Sequence, residues 1–157
     1  MSSVVVSVQV SAPLEQVFEV FTDLEQAEER IPAITKLELL SEGPFREGTR
    51  WRETRVVMKK EATEEMWVTG FEPPHRYTVE AQSNGMLFQT LFEFVPEGDG
   101  TRVTWTFGGT AQSLAAKLTA PIFGFFMNGM MKRCMLEDLE ALRDVCEGGA
   151  PVGTTAY

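Results

Sequence analysis

Histidine occurs once and cysteine twice in the 157 residues, and cations are outnumbered, 14 Lys and Arg against 23 Asp and Glu. Each scarcity removes a class of function. His75 lies in the turn-like stretch Pro73-Pro74-His75-Arg76 and carries no signature of a catalytic triad or of metal ligation. Cys134 and Cys146 fall in one expected helix, where a rise of ~1.5 Å per residue sets them ~18 Å apart, beyond disulfide reach. They read as two reduced thiols rather than as metal ligands or a nucleophile. A formal charge of −9 repels phosphate backbones and anionic headgroups, which argues against a nucleic-acid partner. No apolar run reaches the ~20 residues of a membrane span, so stable membrane insertion is not expected. No basic stretch precedes the first apolar residues, which alternate as in a strand rather than clustering as in a signal core, and a cytoplasmic location is the default expectation. Gly108-Gly109-Thr110 lacks the P-loop lysine and Gly98-Asp99-Gly100 is a hairpin, so neither is a phosphate cradle. No catalytic residue, metal site or cofactor is expected.

What is present is patterned. Val4, Val6, Val8 and Val10 alternate with polar residues in a first strand. Ser11-Ala12-Pro13 then opens a helix, with Ser11 as the cap and Leu14, Val17, Phe18 and Phe21 on one face. Asp23 and Gln26 resemble a capping box for a second short helix that ends at Ile31-Pro32. From 33 to 40 and from 49 to 107 the chain reads as six more strands, punctuated at Gly43-Pro44, Met58-Lys59-Lys60, Pro73-Pro74, Asn84-Gly85 and Gly98-Asp99-Gly100. Gly108-Gly109 turns the chain into a last helix, about 111–147, capped by Thr110 and kinked or broken near Leu118 to Pro121. Its centre, 120–131, is apolar on every side, while Met135, Leu139, Leu142 and Cys146 form a stripe. One domain, 1–147, with a flexible tail at 148–157, accounts for the chain.

A helix apolar all round must be covered all round, and a sheet with one apolar face invites either a filled core or a ligand. Strand parity turns Trp51, Met66, Val68, Tyr77, Phe88, Phe92, Trp105 and Phe107 inward, and the helix offers Leu118, Ile122, Phe125 and Phe126. The same parity places Glu53 and Arg55 inward beside Trp51, where burial would require them to pair or to meet a polar ligand group. Tyr77 and Thr90 add hydroxyls. Clustered methionines at 127, 130, 131 and 135 suit an adaptable surface. The plain alternative is that these rings pack against one another.

The order strand, two small helices, six strands, long helix, together with SAPLEQVFEVFTDLEQAEERIPAI, VTGFEPPHRYTV, GDGTRVTWTF and LEDLEALRDVCE, resembles the START-like (SRPBCC, polyketide cyclase/dehydrase-like) helix-grip superfamily. The resemblance covers nearly all of 3–147. It implies an α+β helix-grip fold, a curved seven-stranded antiparallel sheet wrapped around the C-terminal helix, with an apolar cavity for lipids, polyketides or other hydrophobic molecules. These motifs are caps, turns and core stripes, and no catalytic motif carries over with them. The expected function is binding or transport of a small hydrophobic ligand. An aromatase/cyclase or dehydratase activity, and an interaction module that forms a homodimer through the C-terminal helix, are the alternatives.

Overall fold

The structure, a computed structural model, describes residues 3–57, 59–83 and 85–148, with the side chains of 116 and 119–128 outside the description. The elements follow the order β1 (Ser3–Val10), α1 (Leu14–Phe21), a 3-10 turn (Leu24–Gln26), α2 (Ala27–Arg30), β2 (Ile34–Leu39), β3 (Arg50–Val57), β4 (Lys60–Glu72), β5 (Arg76–Ser83), β6 (Met86–Glu97), β7 (Gly100–Ala111) and α3 (Leu114–Cys146). All seven strands join one curved antiparallel sheet ordered β1-β7-β6-β5-β4-β3-β2, with α3 against its concave side: the helix-grip arrangement.

From β2 to β7 consecutive antiparallel connections explain the order, because each returns the chain beside the strand it left. Register shifts between Ile34 and Lys36 and between Val68 and Gly70 mark bulges, which bend a strand and increase its twist. β1 closes against β7, pairing Val4 with Phe107, Val6 with Trp105 and Val8 with Val103. The alternating valines of β1 are buried and the residues between them exposed, as a half-covered strand requires.

The core lies between this face, α1 and the last turns of α3. Val10, Val17, Phe94, Val103, Met135 and Leu139 are each at most 1 % exposed. Each such side chain contributes roughly 1.5–3 kcal/mol by leaving water. The end of α3 is tied down by Gln16 Nε2 donating to the Cys146 carbonyl (3.1 Å) and the Ser11 amide donating to Glu147 (2.7 Å). Among the described residues no helix is long and apolar enough to cross a membrane.

Several sequence expectations are corrected here. Pro13 rather than Ser11 caps α1, its carbonyl accepting from the Val17 amide at 3.0 Å. Asp23 stands at the N-cap of a 3-10 turn, its carbonyl accepting from the Gln26 amide at 3.3 Å, but its side chain makes no cap hydrogen bond; the carboxylate lies 3.4 Å from Arg30 instead, and only the 3-10 turn and a four-residue helix form. Gly108-Gly109-Thr110 does not turn: β7 continues to Ala111, and the first bond of α3 runs from Lys117 to the Ser113 carbonyl. Gly109 faces Phe88 across the ladder, and a Cβ there would stand 3.2 Å from the ring, so this glycine admits a large neighbour within the strand. α3 passes through Pro121 as one continuous helix, so of the expected kink or break no break occurs. Of the expected tail, residues 149–157 lie outside the described residues.

Candidate functional site

Parity decides which face a strand residue takes, and the ladder aligns those residues into rows across the concave side. One row joins Phe71, Tyr77, Phe92, Trp105 and Val6; the next joins Val68, Val79, Thr90, Phe107 and Val4; the third joins Trp51, Met66, Ala81 and Phe88. All the expected inward residues of the sheet are therefore on one surface. They differ in depth.

Val68, Tyr77 and Trp51 are buried, at 2 %, 5 % and 5 % exposure. Tyr77 sits among Phe18, Phe45, Phe92 and Phe94, and its hydroxyl donates to the Phe21 carbonyl at 3.4 Å. Burial pushes this phenol far above its ordinary value. With its proton tied to backbone, Tyr77 serves as core. Met66, Phe88, Thr90, Phe92, Trp105 and Phe107 are only half-buried. Because their side chains project to the concave side, the surface they keep exposed lies there. Phe88 and Phe107 stack at 5.7 Å and Phe92 meets Trp105 at 4.8 Å, two ring pairs that form an aromatic wall on this face. Trp105 Nε1 is out of contact with solvent and has no hydrogen-bond partner among the described residues.

A charged cluster stands at the margin of this wall. Arg55 Nε donates to Glu53 Oε2 (3.0 Å), Arg55 Nη1 to Asp138 Oδ2 (2.8 Å), and the Trp51 indole to Glu53 Oε1 (3.4 Å). Glu64 lies across the ladder from Glu53. One guanidinium thus faces three carboxylates. Burial alone would lower the Arg55 pKa, but Asp138 and Glu53 hold it above its ordinary value. Asp138 is pushed up to about 6, chiefly by burial, with Arg55 opposing and Glu53 adding to the rise. Glu64 is raised by burial and then by Glu53.

Strand parity points to Glu53 and Arg55 but not to Asp138, which lies on α3. Its signal is helical phase, since it falls three residues after Met135 and four before Leu142, on the apolar stripe rather than the wet face. Leu118 is 71 % exposed and is not packed against the sheet, since the first turns of α3 project it into solvent. Ile122, Phe125 and Phe126 lie outside the described side chains. The opposite face of the sheet carries a shallow groove of about 360 Å³ along Thr69, Thr78, Gln89 and Thr106. Its polar groups are partly paired, Thr69 with Thr78 (2.8 Å) and Gln89 with Glu80 (3.0 Å), and it offers no aromatic wall. Among the described residues no three His, Cys, Asp or Glu side chains come together to hold a metal ion.

Residues 1–147 match the family model described as polyketide cyclase/dehydrase and lipid transport. No curated protein matches the chain in sequence. Among solved structures, a START superfamily protein from Mycobacterium smegmatis is 15 % identical with a TM-score of 0.75, covering 93 % of this chain and 97 % of its own. The di-domain aromatase/cyclase of the steffimycin biosynthetic pathway is 11 % identical with a TM-score of 0.76, over 93 % of this chain and 51 % of that one. Truncated norcoclaurine synthase from Thalictrum flavum is 14 % identical with a TM-score of 0.70, over 92 % of both chains. At these identities the likeness is one of fold.

Proposed function

The chain belongs to the polyketide cyclase/dehydrase and lipid transport family, and from that premise we propose that it binds and carries a small hydrophobic molecule on the concave side of its sheet, beneath α3. The half-buried aromatic wall supports this reading. Large rings that project inward yet keep exposed surface lack partners on one side, and an apolar ligand would supply them. The few polar groups nearby would orient the ligand without reacting with it.

The test uses neighbouring residues that point to opposite faces. Phe107→Glu puts a charge on the wall, whereas Thr106→Glu puts the same charge on the outer face. Nile red, an uncharged apolar dye, should bind wild type and Thr106→Glu saturably at one site and should not bind Phe107→Glu. Equal binding by all three proteins, or by none, overturns the reading. Native mass spectrometry of the purified protein would show any retained ligand as added mass.

A second reading, cyclase or dehydratase chemistry on a polyketide-like chain, is favoured by one observation: Glu64 and Asp138 hold their protons more tightly than ordinary carboxyls beside the wall. Asp138, at about 6, is suited to general acid–base work near neutral pH, and the raised Glu64 lies beside it. A turnover whose pH profile collapses in Glu64→Gln while Nile red affinity is kept would establish it.

A further inference from the structure

One end of the molecule departs from the charge and polarity of the rest. The β3–β4 turn, the β5–β6 turn and the junction of β7 with α3 all lie there, because each antiparallel strand returns to it, and the Gln112 amide donating to the Gly85 carbonyl at 2.7 Å ties the last two together. Leu114 and Leu118 stand in the first turns of α3, at 76 % and 71 % exposure the most exposed large apolar side chains among the described residues. Lys117 falls with them at i, i+3 and i+4, so the three share one helical face. Lys59 occupies the β3–β4 turn and Lys60 opens β4. All three lysines are exposed, and none is ion-paired among the described residues. In the sequence of these connections, residues 57–61, 83–87 and 110–118, Glu61 is the one acid, although the whole chain carries a formal charge of −9.

Exposed leucines beside unpaired lysines suit an anionic lipid surface, where apolar side chains enter the acyl boundary and lysine stems lie along it with their ammonium groups among the headgroups. Building on the carrier reading above, we propose that this end docks on an anionic lipid bilayer, where the carried molecule enters or leaves the concave side. Phe88, half-buried and the third residue of β6, brings the aromatic wall to the same end. The negative charge of the remainder does not forbid the contact. Charges farther apart than about 8–10 Å are largely screened at physiological ionic strength, whereas the 12 residues of β6, at ~3.3 Å each, set Glu97 and Asp99 roughly 40 Å away at the opposite end. A second copy is a poorer occupant, because pairing this end with itself would set lysines against lysines.

Flotation with vesicles of phosphatidylcholine alone, or of phosphatidylcholine with about 30 % phosphatidylserine, tests the docking. Wild type should float with the anionic vesicles and not with the neutral ones, and less as salt is raised. Leu118→Glu and Val95→Glu each put the same charge in place of an exposed aliphatic side chain, Val95 being 55 % exposed near the opposite end. Binding should fall about tenfold or more in Leu118→Glu and in the double variant Lys59→Gln, Lys60→Gln, but less than about twofold in Val95→Glu. Nile red affinity should be unchanged in all of them, which checks that they fold. No flotation of wild type, or equal losses at Leu118 and Val95, overturns the docking surface, and the carrier reading stands if Nile red is still bound. Self-association of wild type that Leu118→Glu abolishes, without vesicle binding, would assign the face to a second copy and also overturn it. Vesicle binding in the expected pattern with no Nile red binding would uphold the docking surface and remove the carrier reading.

Discussion

Arg55 Nη1 stands 2.8 Å from Asp138 Oδ2 and joins β3 to α3 across 83 positions of sequence. Both ends are largely withdrawn from water, Asp138 at 4 % exposure, and Glu53 completes the ring around the guanidinium. Removing two charges from water costs several kcal/mol; Asp138 and Glu53 more than offset that cost for the guanidinium, whereas burial and the neighbouring carboxylates outweigh Arg55 at Asp138. The clasp therefore specifies how α3 meets the sheet without adding its full Coulombic energy to stability.

Asp138→Asn should expose this in a pH titration of stability. The folded carboxyl, at about 6, holds its proton more tightly than an unfolded aspartate near its ordinary 3.8. Folding therefore takes up a proton between these values: the favourable contribution is complete below about pH 4 and is lost as pH rises through 6. The difference corresponds to on the order of 3 kcal/mol. Wild type should gain stability on acidification from pH 7.5 to pH 5 relative to Asp138→Asn, measured by urea midpoints. Parallel curves for the two proteins would show that Asp138 is ordinarily ionised in the fold.

Arg55→Met removes the cation and leaves Glu53, Glu64 and Asp138 facing one another. At pH 7.5 the loss should be about 3–5 kcal/mol, the usual consequence of stranding a buried charge. At pH 5 it should shrink, because Asp138 and Glu64, both raised by burial, then accept protons. Denaturant unfolding at the two pH values checks the difference.

The two thiols should differ under alkylation. Burial raises Cys146 to about 11, with Arg30 opposing, and the residue is 5 % exposed, so iodoacetamide at pH 8 should leave it unmodified in folded protein. Cys134 is half-buried and is raised by burial and then by Glu137 and Asp138. It should react first, and faster still in Asp138→Asn. Peptide mass mapping over time distinguishes the sites, and faster labelling of Cys146 would contradict the burial assigned to the end of α3.

Alternation made the strands and their faces legible in sequence, because side-chain direction in a strand depends only on parity. Val4 to Val10 and Phe88 to Phe94 are examples. Depth is a different quantity. Parity could not separate Tyr77, enclosed by rings from α1 and the loop before β3, from Phe88, which keeps open surface, since that depends on which distant elements arrive above each. Asp138 was hidden by a similar effect: a carboxylate on an apolar helical stripe becomes intelligible only once Arg55 is known to face it. Gly108-Gly109 looked like a turn because glycine breaks strands as readily as it accommodates a neighbouring ring, and only the register with Phe88 decides between them.

That distinction between face and depth yields a direct comparison of Phe94 and Phe88, which share a strand and a side of the sheet. Phe94 is 1 % exposed and touches Phe18, Phe21 and Tyr77, so Phe94→Ala should cost about 3–5 kcal/mol through lost transfer energy and a new cavity. Phe88 stacks on Phe107 but is only half-buried, so it begins with fewer contacts to lose. Phe88→Ala should cost markedly less stability and should weaken Nile red binding, whereas Phe94→Ala, assayed where it remains folded, should leave the dye affinity nearly unchanged. Urea denaturation and dye titration on the two variants decide the matter: a full core-sized loss at Phe88 with no effect on the dye would mean that the wall is packed core and that the concave side holds no ligand.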